Sequence, residues 1–208
     1  MCLPLSAGDA FVLRGARVQA LSAWEIVGVV FGFLGVALTV KENVWCWPVG
    51  VVSVAAYVVV FWQAKLYADM GLQVVYIALC LYGWWAWLHG GSARGALRVG
   101  RAPAWALGLG ALAGIAATWG LGTFLYARTD AALPFWDAGT TSFSLVAQWL
   151  QTRKWIANWP LWIAVDVVYV GIYIAKGLYL TAGLYAAFLA LAAAGWWTWR
   201  RSLAASPA

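Results

Sequence analysis

The sequence predicts an all-α polytopic membrane protein with seven transmembrane helices, arranged as two three-helix repeats and one connecting helix. Three observations lead there. First, hydrophobic residues make up 65% of the 208-residue chain and charged residues only 10%, with a mean hydropathy of +0.81. A soluble domain is about half apolar and a quarter charged, and one of this size could not hide so much hydrocarbon from water. Second, seven apolar stretches reach the length of about 20 residues that crosses a bilayer. Third, the chain matches itself without gaps at an offset of 112 residues, which sets Trp24 on Trp136.

The elements follow in order. Residues 1–23 lack the basic start, long apolar core and small-residue cleavage site of a secretory signal. Residues 9–21 read equally as a short amphipathic helix on the membrane surface or as a flexible leader. The first repeat occupies 24–88, with spans at 24–42, 45–64 and 68–88. A basic loop and a connector span at 104–125 fill 89–134. The second repeat occupies 135–199, with spans at 135–152, 156–175 and 180–199, and 200–208 is a basic tail. Pro48, Pro103, Pro134 and Pro160 fall near proposed helix starts, where a missing backbone N–H costs least. Lipid offers no partner to unpaired backbone groups, so helices are expected. The runs are too long and too uniformly apolar for barrel strands.

The net charge of +6 does not point to nucleic acid, because the basic residues are spread over the breaks between spans. One side of the membrane would hold Arg14, Arg17, Lys65, Arg128 and Lys176. The other would hold Lys41, Arg94, Arg98, Arg101, Arg153, Lys154, Arg200 and Arg201. The excess on the second side predicts a cytoplasmic C-terminus and an N-terminus outside.

At the offset of 112, "WPVGVVSVAAYVVVF" meets "WPLWIAVDVVYVGIY", and "GWWAW" (83–87) meets "GWWTW" (195–199). Shared Trp, Pro, Tyr and Gly positions in one register point to duplication. Three helices end on the far side and one more returns the chain, so both repeats start on the same face. Such parallel repeats occur in the sugar-transporting SWEET proteins and leave a site between them near the midplane. A duplicated scaffold without a pathway is the competing reading.

The fifth span, "WDAGTTSFSLVAQWLQ", is amphipathic. On a helix, Asp137, Thr140, Thr141, Ser144, Gln148 and Gln151 share a stripe about 100° wide. Phe143, Leu145, Val146 and Leu150 lie opposite. Interhelical glue accounts for one or two such polar residues, but six on one face suit the lining of a cavity. In the sixth span Trp159, Trp162 and Asp166 are spaced i, i+3 and i+7 and share a face. Tyr169 continues that face, and Asn158 sits at its edge. A carboxylate at this depth costs about 2.5–3.5 kcal/mol to insert, so it needs a partner or a task. Lys176 is too far along the same helix to pair with it. The matching position in the first repeat is Val54. An interfacial anchor is the competing reading of Trp159, and most tryptophans of "GWWAW" and "GWWTW" read as an aromatic belt.

Aromatic faces stack on a flat ring, more strongly on a cationic one. A carboxylate can accept from a diol or neutralise a cation, and Asn, Gln, Ser and Thr can pair with an amide. A small, polar, aromatic solute fits this inventory. Metal chemistry is not expected: His89 is alone, and Cys2, Cys46 and Cys80 have no ligand spacing. No phosphate-binding loop occurs, and the paired acids or nucleophile–base sets of a membrane enzyme are missing. The chain is expected to need no cofactor.

At Trp159, Trp162 and Asp166, preceded by Asn158, the pattern W-x-x-W-x-x-x-[ND] resembles the nicotinamide riboside transporter (PnuC) family and its relatives for thiamine and other vitamins. The polar segment 135–158 and the Tyr and Gly positions after it support the likeness, which runs from Trp24 to Trp199. The resemblance implies a SWEET-like 3+1+3 fold, a bacterial inner-membrane location and a homotrimer. It also implies facilitated diffusion of a vitamin, trapped by a cytoplasmic kinase. Within it, Trp159, Trp162 and Tyr169 would stack on the pyridinium ring, Asn158 or Gln148 would bond the carboxamide, and Asp166 would meet the ribose hydroxyls or the positive charge. Ser144, Thr141 and Asp137 complete the expected substrate-binding set.

Overall fold

The computed structural model describes residues 23–63, 67–91, 95–129, 133–175 and 179–205. The N-terminal segment and Lys176 lie outside these residues. Among the described residues seven helices follow in order: α1 (Ala23–Val40), α2 (Cys46–Gln63), α3 (Tyr67–His89), α4 (Ala104–Arg128), α5 (Pro134–Thr152), α6 (Asn158–Ala175) and α7 (Tyr179–Ala205). Each expected span has its helix, and α7 continues to Ala205, beyond the expected end at 199. Four of them, α1, α2, α3 from Met70 and α4, are long and apolar enough by composition to cross a membrane. The polar stripe of α5 lowers its hydropathy below theirs, and α6 has a shorter apolar stretch, Asn158–Ile172.

The helices pack as α1–α2–α3 and α5–α6–α7, with α1 meeting α7 and α3 meeting α5. The connector α4 lies on α5. Gly110, Gly114 and Gly122 of α4 let Val146, Phe143 and Phe135 of α5 approach its backbone, leaving no room for a Cβ at Gly114 or Gly122. That contact occupies the apolar face of α5 and turns its polar face toward the two triplets.

Contacts recur at the offset of 112. Trp47 presses its ring on Gly83, as Trp159 does on Gly195. Trp47 meets Trp87 edge-on at 5.4 Å, and Trp159 meets Trp199 edge-on at 5.3 Å. The α1–α2 and α5–α6 turns share most of their backbone hydrogen bonds. Asn43 N donates to Leu38 O and Trp155 N to Leu150 O, while Glu42 and Lys154 both take left-handed backbone, φ 55° and 54°. Neither residue is glycine, so each turn holds a conformation that costs about 1–2 kcal/mol, offset by the carbonyl-capping bonds that it completes.

At the end of the bundle that carries these turns, the triplets join reciprocally. Trp87 Nε1 donates to Gln151 O at 3.0 Å, and Trp199 Nε1 donates to Thr39 O at 3.0 Å. The two rings also touch each other, 5.8 Å between centroids. Two of the six tryptophans in "GWWAW" and "GWWTW" are thus not belt residues: Trp87 and Trp199 are buried in the core. Trp84, Trp85, Trp196 and Trp197 are exposed as a belt requires, with Arg200 over Trp196 and Arg201 over Trp197. Cation–π contact of this kind suits the boundary between apolar core and headgroups. The basic loop contributes an ordered piece at the same end. Gly100 pairs with Trp155 in an isolated parallel bridge, and Leu97 N donates to Trp87 O.

The close packing at the two glycines can be tested by thermal unfolding in detergent. Gly83→Ala and Gly195→Ala each force a methyl into a buried indole and should destabilise by about 1–3 kcal/mol. Gly71→Ala, whose Cβ would meet nothing within 4 Å, should leave the melting temperature unchanged or slightly raised.

Candidate functional site

A cavity of about 410 Å³ lies between the triplets and draws on α1, α2, α3, α5, α6 and α7. The sequence pattern explains why it is there. The α5 stripe must face protein or water, and α4 already covers the opposite face. Thr141, Ser144, Gln148 and Gln151 all line the cavity. From α6 come Trp159, Trp162, Asp166 and Tyr169, as the i, i+3, i+7 spacing requires.

Seven of the nine expected site residues therefore meet in one chamber: Thr141, Ser144, Gln148, Trp159, Trp162, Asp166 and Tyr169. The other two do not line it. Asp137 is exposed in the first turn of α5. Asn158 is fully buried at the start of α6, where its Nδ2 donates to Trp155 O at 2.7 Å. Thr140, in the same sequence stripe, turns its hydroxyl back to the carbonyls of Trp136 and Asp137. The stripe is thus split: Asp137 is exposed, Thr140 bonds back into its own helix, and the rest lines the cavity.

Within the chamber the polar groups are partly pre-arranged. Trp162 Nε1 donates to Gln151 Oε1 at 3.2 Å, which fixes the indole plane against the end of α5. Gln148 Nε2 reaches toward Cys80 Sγ at 3.9 Å, linking α5 to α3. Tyr169 and Tyr185 lean together, 4.7 Å between ring centroids. Asp166 is buried, and no basic group among the described residues lies within ion-pair distance of it. Trp159 is 2% exposed, which suits a core and cavity residue and not an interfacial anchor. Its Nε1 and that of Trp47, the matching residue of the first triplet, have no partner among the described residues.

The lining pairs up across the offset of 112, with opposite chemistry. Gly32, Val36, Gly50 and Val54 of the first triplet match Ser144, Gln148, Trp162 and Asp166 of the second, and all eight line the cavity. The third helices reverse the bias: Gln73, Tyr76 and Cys80 match Tyr185, Phe188 and Ala192. Sequence reading missed Gln73 and Tyr76. The signal was available, since Gln73, Tyr76 and Cys80 repeat the i, i+3, i+7 spacing that singled out α6.

Among the described residues no group of three or more His, Cys, Asp or Glu could hold a metal ion. The cavity can receive an uncharged or cationic solute with a flat ring, since it combines large aromatic faces, amide and hydroxyl groups, and one carboxylate. Its volume is in the range of small-molecule sites, about 300–1,000 Å³.

Comparison with known proteins bears on what enters it. The family model "Nicotinamide mononucleotide transporter" matches residues 22–201. The nicotinamide riboside transporter PnuC of Escherichia coli is 30% identical over 190 residues, covering 79% of this chain and 80% of that one. The riboflavin/roseoflavin transporter RibM of Streptomyces davaonensis is 31% identical over 201 residues, covering 91% and 90%. The crystal structure of the vitamin B3 transporter PnuC matches with a TM-score of 0.67 at 23% identity, over 94% of this chain and 87% of that one, and shows the same fold.

The split within the expected set gives a test that needs no ligand. Asn158→Ala removes a buried hydrogen bond from the α5–α6 turn and should lower stability by about 1–3 kcal/mol, read as an earlier melting transition in detergent. Asp137→Asn, on an exposed side chain, should leave that transition in place.

Proposed function

The chain belongs to the nicotinamide mononucleotide transporter family, and from that premise we propose that it takes up nicotinamide riboside through the central cavity by facilitated diffusion. The observation that carries the proposal is the meeting of Asp166, Gln148, Trp159 and Trp162 in one chamber between the triplets. The indoles of Trp159 and Trp162 supply stacking faces for a pyridinium ring, and Asp166 supplies the acceptor for its charge or for the ribose diol. Gln148 and Ser144 pair with the carboxamide. Thr141 and Tyr169 close the chamber further along α5 and α6. Asn158 acts from behind, holding the turn that aims Trp159.

The two triplets serve as parallel repeats of a SWEET-like 3+1+3 arrangement, with α4 as the connector, and rock about the cavity to expose it alternately. The recurring turns, tryptophan pairs and reciprocal indole–carbonyl bonds support that reading. The basic end faces the cytoplasm, in a bacterial inner membrane, with the N-terminus outside. Phosphorylation by a separate kinase keeps the inward gradient, and the assembly is a homotrimer, both carried over from the family resemblance.

A second reading has its own support. RibM covers more of this chain than PnuC does, so riboflavin is the alternative substrate. Its ring would use the same indoles, and its ribityl hydroxyls would use Asp166.

Titration of the purified protein with nicotinamide riboside, riboflavin and thiamine separates the readings. Nicotinamide riboside should bind, with Trp162→Ala and Asp166→Ala each weakening it at least about fivefold, the scale of a lost stacking or charge-assisted contact. Binding of riboflavin alone would transfer the assignment to the second reading, and binding of none of the three would end it.

Proteoliposomes test the uniport mechanism. Labelled substrate should equilibrate to equal concentrations on both sides, at a rate that imposed proton or sodium gradients leave unchanged. Accumulation above the outside concentration under either gradient would replace uniport with coupled transport.

A further inference from the structure

We propose that the Glu42–Lys154 ion pair is the latch of a gate that closes the cavity at the basic end of the bundle. The two residues occupy matching places, each at the turn after the first helix of its triplet, and both have left-handed backbone. Their side chains reach across the interface between triplets, Lys154 Nζ to Glu42 Oε2 at 3.2 Å. Lys154 is buried, donates also to Leu97 O at 3.1 Å, and lies 4.7 Å from the centre of the Trp87 ring.

The layers stack from the cavity outward. Trp47 and Trp159 line the cavity, and each stands edge-on to the next layer, Trp87 and Trp199. That layer makes the two crossed bonds to Gln151 O and Thr39 O. Beyond it lies the ion pair. Leu97 and Gly100 then strap the outside: Leu97 N bonds to Trp87 of the first triplet, and Gly100 bonds to Lys154 and Ile156 of the second. The crossed bonds and the ion pair join one triplet to the other, and the Leu97 and Gly100 bonds join each triplet to the strap. Helices within a triplet are held by their own packing. A rocking motion that opens this end therefore parts the ion pair and both crossed bonds, together with the strap's bonds to one triplet and the Arg153–Tyr82 contact. The ion pair is the member of that set with a charge on both sides. Removing Glu42 leaves the Lys154 charge buried without its counter-ion, a costly arrangement that favours the open end.

The inference rests on the transport reading, but its test reads access and not transport. Cys80 lines the cavity. In the full chain carrying Cys2→Ser and Cys46→Ser, a membrane-impermeant maleimide is applied to vesicles of both orientations, and the rate of Cys80 modification from the basic end is measured. The parent should react slowly from that end. Glu42→Gln should raise the rate at least about tenfold, as a shift in a two-state equilibrium does. The exchange Glu42→Lys with Lys154→Glu should bring it part of the way back toward the parent, because opposite charges again meet across the interface, while Leu97 O and the Trp87 ring suit a cation at 154. Trp87→Phe, which keeps a ring but removes the crossed N–H bond, should also raise the rate, and it stands in if Glu42→Gln does not fold. An unchanged rate, or an exchange as open as the single variant, overturns the latch. Failure of the parent to bind any of the three vitamins overturns the transport reading instead.

Discussion

A hydrocarbon solvent offers no hydrogen bond, and the arrangement of this protein follows from that constraint. Each polar side chain in a span must find protein or water. Helix α5 carries more of them than its neighbours, so it cannot face lipid. The chain meets this by laying α4 on the apolar face of α5, through glycines that admit Phe143 and Phe135, and by turning the polar face inward. The interior chamber is the result. Its contents are whatever α6, α7 and the first triplet bring to that face.

The division of labour between the triplets is uneven. Where the first triplet places Gly50 and Val54, the second places Trp162 and Asp166, so that bulk and charge come from one side and space from the other. Had both halves kept Trp and Asp at these positions, two large indoles and two carboxylates would compete for one chamber and repel at close range. On the third helices the polarity runs the other way, with Gln73 and Tyr76 opposite Tyr185 and Phe188. A nearly symmetric frame thus holds an asymmetric site, which suits a solute whose two ends differ.

Much of this was legible in the sequence, because bilayer proteins write their constraints in composition and spacing. Each expected span has its helix, and the α5 stripe and the face of Trp159, Trp162 and Asp166 meet as their periodicity implies. The rest depends on contacts between distant parts of the chain. Periodicity puts Asp137 and Thr140 in line with Gln148, but it cannot show that Thr140 bonds backward to its own helix. It groups Trp87 with Trp85, yet one is core and the other belt. One helical face meets a neighbouring triplet and the next meets lipid, and both are equally apolar in letters. The ordered strap at Leu97 and Gly100 was unreadable for a further reason: its bonds go to partners more than fifty residues away for Gly100, and its composition is that of a loop.

The crossed tryptophan bonds carry an implication for origin. Each triplet holds one indole donor and one carbonyl acceptor at corresponding places, so a single triplet is complementary to its own copy. Two identical three-helix chains, lying side by side in one orientation, could make both bonds as an isologous dimer. In the proposed parallel-repeat arrangement, fusing two such ancestral genes end to end would demand one extra crossing of the membrane to preserve that orientation, the place that α4 would take. Two separate copies of one chain must be alike at these positions, whereas two halves of one chain can differ, one large and acidic where the other is small.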